Sequence, residues 1–295
     1  MVLIPDVLPP SLQTWTVAVV VWNLFPVFTG AQWLTDWYPM GKTSIDSRFN
    51  IPGKIAWFTM EAPGFITLLY IMFNLPDQLG LDWRSLPTYN WLMAGLFVLH
   101  YLNRAVLYPL VLQPSISPIH PFVWCMALSF QLFNATCIGG WLAGYGPTTD
   151  ADWSGALPRV TIGSVVFFAG LIGNIWHDDE LRELRRESMR RQKAELEKKA
   201  KEEGKPVEQV RVDKVYLLPE NGLFAYILYP HYLCEWIEWA GFWIIGGLHC
   251  APARCFFVNE ITTMTPRALQ GWHWYVKKFG ADKVGSRKAI LPGLL

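Results

Sequence analysis

Residues 229–239 read YPHYLCEWIEW, an aromatic and aliphatic run that is interrupted by Glu235 and Glu238. The two carboxylates are three positions apart, so they share one face if the segment is helical. The surrounding apolar stretch, residues 222–248, is long enough to cross a bilayer. An ionisable side chain is costly there unless it faces a cavity, a partner or a ligand. The stretch therefore predicts a membrane helix with a functional polar face.

The composition of the whole chain also indicates a membrane protein. Of its 295 residues, 52% are hydrophobic and 17% are charged, and 16 are Trp. Trp and Tyr cluster near the ends of the apolar stretches, as they do at membrane interfaces. We predict an all-α, polytopic membrane protein with seven transmembrane helices. The predicted spans lie near residues 13–36, 55–75, 89–112, 121–145, 157–177, 222–248 and 252–276.

Charge is concentrated in residues 178–214, which hold 12 of the 25 Lys/Arg and 11 of the 24 Asp/Glu. Opposite charges recur there at i,i+4, so we expect residues 182–214 to form a charged helical loop inserted between the fifth and sixth spans. Its basic residues, together with Arg287 and Lys288, predict a cytosolic location. Counting through the spans gives a lumenal N-terminus and a cytosolic C-terminus. With no repeat or second core evident, residues 1–295 are predicted to form a single membrane domain.

Several kinds of site are not indicated. The formal net charge of +1 gives no reason to expect a nucleic-acid partner. The five cysteines are odd in number and lack C-x-x-C spacing, although Cys250 and Cys255 flank a short loop and could pair in an oxidising lumen. G-x-G-x-x-G, P-loop and H-E-x-x-H patterns are missing from the sequence, so a nucleotide would not bind through a Rossmann turn and no metal site is predicted. The oligomeric state is not indicated.

Polar and ionisable side chains recur within five of the predicted spans. Salt bridges between helices are one explanation, and a shared polar cavity is the other. So many groups on five helices favour the cavity, because membrane helices can pack through small residues and weak hydrogen bonds. The residues are Glu61 in the second span; His100, Tyr101 and Arg104 in the third; Asn174, His177 and Asp178 in the fifth; His231, Glu235 and Glu238 in the sixth; and Arg267, His273 and Tyr275 in the seventh.

Five stretches together resemble one known family, the steroid 5α-reductases (3-oxo-5α-steroid 4-dehydrogenases). They are AWFTMEAPGF (56–65), GLFVLHYLNRAVLYPL (95–110), GNIWHDDELRELR (173–185), VYLLPENGLFAYILYPHYLCEWIEWAGF (215–242) and PRALQGWHWYVKKFG (266–280) followed by GSRKAILPGLL (285–295). The resemblance implies a seven-helix, multi-pass enzyme of the endoplasmic reticulum membrane. Such an enzyme uses NADPH to reduce a carbon–carbon double bond conjugated to a carbonyl in a lipid or steroid.

The resemblance also implies the catalytic residues, Glu61 and Tyr101. This pair would hydrogen-bond the enone oxygen while hydride reaches the β-carbon. Hydride addition develops negative charge on that oxygen, so preorganised donors in a dry site stabilise the transition state. The Tyr101 hydroxyl can donate directly, whereas Glu61 can donate only when it is protonated.

A further set of residues is implied to bind NADPH. Arginines suit the phosphate groups, and Asn, Asp and Glu suit the carboxamide and the ribose hydroxyls. Glu238 has no such assignment and is expected to pair with a basic or polar neighbour on the seventh span. The implied NADPH contacts are Asn174, Asp178, Arg185, Tyr216, His231, Glu235, Arg267, Tyr275 and Arg287.

Departures from the family pattern leave the substrate open. Met60 stands where the family often has Gln before the catalytic Glu, which removes one donor near the carbonyl. Residues 113–121, QPSISPIHP, lack the basic element that many members carry. A 3-oxo-Δ4-steroid, reduced to a 3-oxo-5α-steroid, is the expected substrate, and polyprenol and trans-2-enoyl-CoA reductases are the alternatives. PHYLCE (230–235) is also similar to an element of membrane methyltransferases, and a non-enzymatic carrier is a further alternative.

Overall fold

The structure is a computed structural model that describes residues 2–35, 37–41, 44–203 and 216–295. Its regular structure in these ranges is helical, with isolated bridges but no strand. The all-α class predicted from the sequence is therefore confirmed for the described residues. The helices are α1 (Leu12–Thr29), α2 (Gly53–Gln78), α3 (Thr88–Tyr101), α4 (Pro121–Gly140), α5 (Leu157–Glu203), α6 (Pro230–Gly246), α7 (Ala251–Phe279) and the short α8 (Ala281–Val284).

Several helices are long and apolar enough to cross a membrane, which indicates a multi-pass membrane protein. The sixth predicted span contains α6, whose 17 residues fall short of the roughly 20 that span a bilayer. The seventh contains α7, which has 29 residues but includes the polar Asn259, Glu260 and Arg267. Five candidate spans are found among the described residues: Leu12–Trp33, Gly53–Gln78, Thr88–Leu112, Pro121–Tyr145 and Leu157–Glu202.

Two of the spans end in π-helical segments. α3 continues as a π-helix through Leu102–Leu112, and α4 continues as one through Trp141–Tyr145. Pro109 lies inside the first segment, and its missing N–H cannot make an α-helical hydrogen bond. A π-helical turn changes the direction of the side chains that follow, and such turns are frequent at functional sites. Side chains after Tyr101 therefore point differently from those of a continuing α-helix.

Residue contacts group the chain into two compact units. The first unit comprises Met1–Leu171 and Cys234–Arg267, and the second comprises Ile172–Leu233 and Ala268–Leu295. The predicted single membrane domain of residues 1–295 stays a prediction.

Within the first unit, α2 packs most extensively against α4. The backbones of Ile51 and Ile119, just before these helices, exchange hydrogen bonds of 2.9 and 3.0 Å, so the two helices start side by side. Near their first turns, Ala56 and Met60 of α2 share a buried apolar cluster with Val123 of α4. This pairing places the next turns of α2, which carry Glu61, beside the middle of α4.

α5 and α6 approach each other through glycines. A Cβ atom added at Gly170 would lie 2.3 Å from the backbone nitrogen of Glu238, and one added at Gly241 would lie 2.3 Å from that of Phe167. Distances this short leave no room for any side chain. Small residues let membrane helices pack backbone against backbone. The glycine contact therefore fixes the position of Glu238 in the first unit.

The charged segment continues α5 instead of forming a separate helix. α5 extends without a break to Glu203, because Ala, Glu, Lys and Arg are strong helix formers. Ion pairs one turn apart, such as Lys193 with Glu197, line this part of the helix. Residues 204–214 of the predicted loop lie outside the described residues.

All five cysteines are free in the structure, and Cys250 and Cys255, the pair considered from the sequence, are both buried without a disulfide.

Candidate functional site

The two predicted catalytic residues are both buried in the first unit. Glu61 lies near the middle of α2 and is 4% exposed, and Tyr101 is the last residue of α3 and is 1% exposed. The Glu61 carboxylate interacts electrostatically with the Tyr101 phenol. Each Glu61 oxygen faces a donor: Arg104 Nε lies 3.4 Å from Oε1, and Gln131 Nε2 lies 2.5 Å from Oε2. The structure therefore brings both residues into one polar cluster.

Arg104 is placed by the π-helical segment that follows Tyr101. Its carbonyl accepts a hydrogen bond of 3.1 Å from Trp57 Nε1, and its guanidinium carbon lies 5.7 Å from the centre of the Trp57 ring. The same guanidinium reaches Glu61 on α2 and, at 3.3 Å, Glu235 on α6. One cation thus links carboxylates from two helices.

His100 extends this link to a third carboxylate. Its Nε2 lies 3.8 Å from Glu235 Oε1, and its Nδ1 lies 2.8 Å from Glu238 Oε1. Which ring nitrogen carries hydrogen depends on the tautomer. We call Glu61, His100, Arg104, Glu235 and Glu238 the ionic network.

The prediction that Glu238 pairs with a residue of the seventh span is wrong. Its partner is His100 on α3, because the glycine contact between α5 and α6 fixes Glu238 in the first unit and His100 comes within hydrogen-bonding distance of it. The predicted structural pairing exists, but on a different helix. Distances between spans cannot be derived from the sequence, so the third and seventh spans were equally possible as the location of the partner.

One more carboxyl group belongs to the same surroundings. Glu260 of α7 is 7% exposed and interacts electrostatically with Glu235, Arg104, Glu61 and Arg267. Four carboxyl groups then face two guanidinium groups and His100. Buried charge without compensation is costly, so protons on the carboxyl groups would restore the balance. The cluster can therefore hold protons as well as ion pairs.

Aromatic side chains enclose Tyr101. Its ring centre lies 4.6 Å from that of Phe97 and 6.2 Å from that of Trp239. Trp239 is also 4.6 Å from the His100 ring and 4.3 Å from that of Phe256. This packing limits water around the phenol and fixes its direction.

Most of the predicted cofactor residues lie in the second unit. Asn174 Nδ2 donates to the carbonyl of His231 at 2.9 Å, which joins α5 to the start of α6. The ring of Tyr216 lies 4.9 Å from that of Trp274, and that of Tyr275, 2% exposed, lies 6.3 Å from Tyr229.

The predicted arginine contacts differ in their surroundings. Arg287 donates to the carbonyls of Pro219 (3.0 Å), Val284 (2.8 Å) and Lys283, so it clamps the C-terminal turn. Arg185 is an exposed cation on α5, with Asp178 two turns before it on the same helix.

Of the predicted cofactor contacts, Glu235 and Arg267 belong to the first unit. Glu235 lies in the ionic network, and the Arg267 guanidinium lies 4.4 Å from the centre of the Tyr38 ring. Cations, amides and aromatic rings are the groups that bind phosphate, carboxamide and nicotinamide. The residue types in each unit are therefore compatible with such contacts.

Three residues near the catalytic pair were not assigned from the sequence. Arg104 is one of the polar residues of the third span and lies one turn after Tyr101, but the sequence assigns it no role. Gln131 lies in the largely apolar segment LSFQLF, and Glu260 is the charged residue of FVNEIT. A strongly polar side chain within a predicted span is the signal that could have identified both.

Comparisons with known proteins agree on one family. The model of the 3-oxo-5-alpha-steroid 4-dehydrogenase family matches residues 208–295. The steroid 5-alpha-reductase DET2 of Solanum lycopersicum is 32% identical over 278 residues, which cover 92% of each chain. The uncharacterized protein C9.08c of Schizosaccharomyces pombe is 32% identical over 87% of this chain and 91% of its own. The 3-oxo-5-alpha-steroid 4-dehydrogenase 1 of Macaca fascicularis is 27% identical over 84% of this chain and 81% of its own.

Proposed function

Because this chain belongs to the steroid 5-alpha-reductase family, we propose that it uses NADPH to reduce the double bond of an enone lipid, specifically a 3-oxo-Δ4-steroid. The chain is an oxidoreductase acting on CH–CH groups, the reaction for which its relatives are named. When bound, NADPH supplies the hydride that reduces the β-carbon. The chain's own residues bind the substrate and manage the charge and the proton.

The observation that carries this proposal is the burial of Glu61 and Tyr101 together. Both are less than 5% exposed, and aromatic rings surround the phenol. The Tyr101 hydroxyl donates to the enone oxygen, where negative charge develops during reduction. A fixed donor in a dry, low-dielectric site stabilises that charge more than a donor in water.

Glu61 is the proposed second group at the carbonyl. It can donate to the enone oxygen only in its protonated form. Arg104, at 3.4 Å, adds positive charge beside the carboxyl group and supports the developing enolate. Tyr101 or Glu61 then donates a proton to the α-carbon, and the deprotonated residue takes up a proton from water before the next cycle.

For NADPH we propose the family's contacts in the second unit. The exposed guanidinium of Arg185 suits a phosphate, and Asn174 and Asp178 suit the carboxamide and hydroxyl groups. Glu235 and Arg267 of the first unit are proposed contacts too. In the second unit, Tyr216, His231, Tyr275 and Arg287 complete the set.

We propose the location and topology on the same basis. The enzyme would lie in the endoplasmic reticulum membrane with seven spans, a lumenal N-terminus and a cytosolic C-terminus. α6 and α7 would supply the two spans beyond the five candidate segments, since α6 is apolar and α7 is long. Glycosylation reporters fused after each helix test this topology, and a modified C-terminal reporter would contradict it.

The reaction is tested with the purified full chain in lipid nanodiscs. NADPH oxidation and product mass are measured with a 3-oxo-Δ4-steroid, an enoyl-CoA and a polyprenal. We expect turnover of the steroid and a loss of about 10²- to 10³-fold in kcat for Glu61→Gln and Tyr101→Phe, because each removes a donor to the oxyanion. Tyr226→Phe, at a 64% exposed tyrosine, is the matched control.

Each other outcome has a definite meaning. Unchanged kcat in both Glu61→Gln and Tyr101→Phe would contradict the mechanism. Turnover of the thioester or the polyprenal alone would replace the steroid as the substrate. Binding of S-adenosylmethionine in place of NADPH would support a methyltransferase.

A further inference from the structure

Gln131 of α4 makes a close contact with the proposed catalytic carboxyl group. Its Nε2 lies 2.5 Å from Glu61 Oε2, and the residue is only 4% exposed. The amide also interacts with the Tyr101 phenol. Gln131 therefore touches both residues that are proposed to act on the substrate carbonyl.

The shape of α2 accommodates this amide. A Cβ atom added at Gly64 would lie 2.5 Å from Gln131 Oε1 and 3.4 Å from Gln131 Cβ. Gly64 comes one helical turn after Glu61, so the two residues lie on one face of α2. Glu61 and Gly64 thus form a slot that fixes the glutamine side chain.

The oxygen of the Gln131 amide has no hydrogen-bond partner among the described residues. Gln131 Oε1 is buried, and a buried acceptor without a partner is destabilising. An amide has a donor end and an acceptor end that exchange places by a rotation. Nε2 can donate to one Glu61 oxygen both when the carboxyl group is ionised and when its other oxygen carries the proton that is donated to the enone. One side chain can therefore hold Glu61 in both protonation states.

The residue before Glu61 cannot do this. Met60 has no hydrogen-bond donor, and its side chain belongs to the buried apolar cluster with Ala56, Ile119 and Val123. The donors that reach the Glu61 carboxylate are Arg104 and Gln131, and of these only Gln131 can also accept.

We propose that Gln131 is the positioning residue of Glu61, which keeps the carboxyl group aimed at the enone oxygen through the cycle of proton loss and gain. It supplies from α4 the amide that Met60 does not supply from α2. This inference rests on the proposed function, since it assigns Gln131 a role in that reaction.

The test compares the wild type with Gln131→Met, whose side chain is of similar length but lacks both polar atoms. We expect kcat with a 3-oxo-Δ4-steroid to fall about 10²-fold, because misplacing a catalytic group by about 1 Å costs this much. KM should change less than threefold, since substrate burial is unaffected. Leu128→Met, one turn earlier on α4, is the packing control and should keep the kcat of the wild type. Melting temperatures of all variants identify any that fail to fold.

Two further measurements separate positioning from packing. Gly64→Ala should give a similar loss of kcat by displacing Oε1, and it should add little in the Gln131→Met background because both changes remove the same contact. The infrared carboxyl band of Glu61, assigned by its loss in Glu61→Gln, should shift in Gln131→Met without any substrate present.

The outcomes distinguish the inference from the function it rests on. Wild-type turnover with an unchanged kcat and an unchanged Glu61 band in folded Gln131→Met would overturn the positioning role and leave the reductase intact. A wild type that reduces no enone would overturn both.

Discussion

The protein uses opposite charges in two regions, and the two arrangements have almost nothing else in common. In the ionic network, Arg104 joins Glu61 to Glu235, which is 131 positions from Arg104 in the sequence, and all the carboxylates are buried. On the charged half of α5, each pair joins residues one turn apart on one exposed helix face. Those pairs are Arg186 with Glu183, Arg191 with Glu187 and Lys193 with Glu197.

The difference shows where charge has a function. An exposed pair gains little and costs little, because water screens it and would solvate each partner alone. A buried pair carries a desolvation cost that packing alone does not justify, since apolar residues would be at least as stable there. The network is therefore the part of the molecule whose charges require a chemical reason, and the α5 pairs mainly keep a helix soluble.

The largest effect should follow removal of the cation of the network. Arg104→Met leaves Glu61 and Glu235 facing each other without compensation, so we expect a loss of about 3–5 kcal/mol in the free energy of unfolding. Unfolding in detergent followed by Trp fluorescence measures this loss.

Two further variants show whether uncompensated charge causes the loss of stability in Arg104→Met. Arg104→Lys keeps the charge and should recover part of the stability. Arg104→Met combined with Glu235→Gln should be more stable than Arg104→Met alone, since it removes one uncompensated carboxylate. If the double variant were no better than the single one, uncompensated charge would not be the cause.

The next effect comes from the contact that places Glu238. Gly170→Ala inserts a methyl group where the Glu238 backbone nitrogen lies 2.3 Å away, so α6 must move. We expect a loss of about 1–3 kcal/mol, as for other overpacked sites, with a lower melting temperature. Gly95→Ala, in a helix with open space around its Cβ position, is the control and should be neutral or slightly stabilising.

The sequence predicted more of the site than of its connections. Glu61, Tyr101, Glu235 and the family were recognisable because an isolated charge in an apolar helix, or a motif in fixed order, can be read along one segment. The contact of Gln131 with Glu61 and the partner of Glu238 could not be predicted, because both depend on which helices are neighbours. That information lies in distances between segments far apart in the chain.

The fold, too, was predictable in some features and not in others. Length and hydropathy along the chain identified the first five spans, which the structure contains as apolar helices. The π-helical segment after Tyr101, which directs Arg104, was not predicted. Pro109 was visible, but a proline shows only that the helix must deviate and does not determine the form of the deviation.

A smaller effect is expected at the far end of the network. Glu238→Gln keeps the size of the side chain and leaves His100 Nδ1 a neutral partner at 2.8 Å, so the free energy of unfolding should fall by only about 1 kcal/mol. His100→Leu should cost more, because it leaves the buried Glu238 carboxyl group without its partner. Equal losses in the two variants would mean that leaving the Glu238 carboxyl group without a partner carries no extra cost.

The smallest effect belongs to the exposed helix. The Lys193 ammonium lies 3.9 Å from Glu197, and the two side chains are 75% and 49% exposed. Lys193→Ala removes the pair but substitutes a better helix former, so the net change should stay within about 0.5 kcal/mol, and raising the salt concentration should reduce the contribution of the pair further. Melting curves at low and high salt measure both the net change in stability and its dependence on salt. A loss comparable to that of Arg104→Met would mean that the α5 pairs stabilise the fold as strongly as the network does, and the contrast between the two regions would then be wrong.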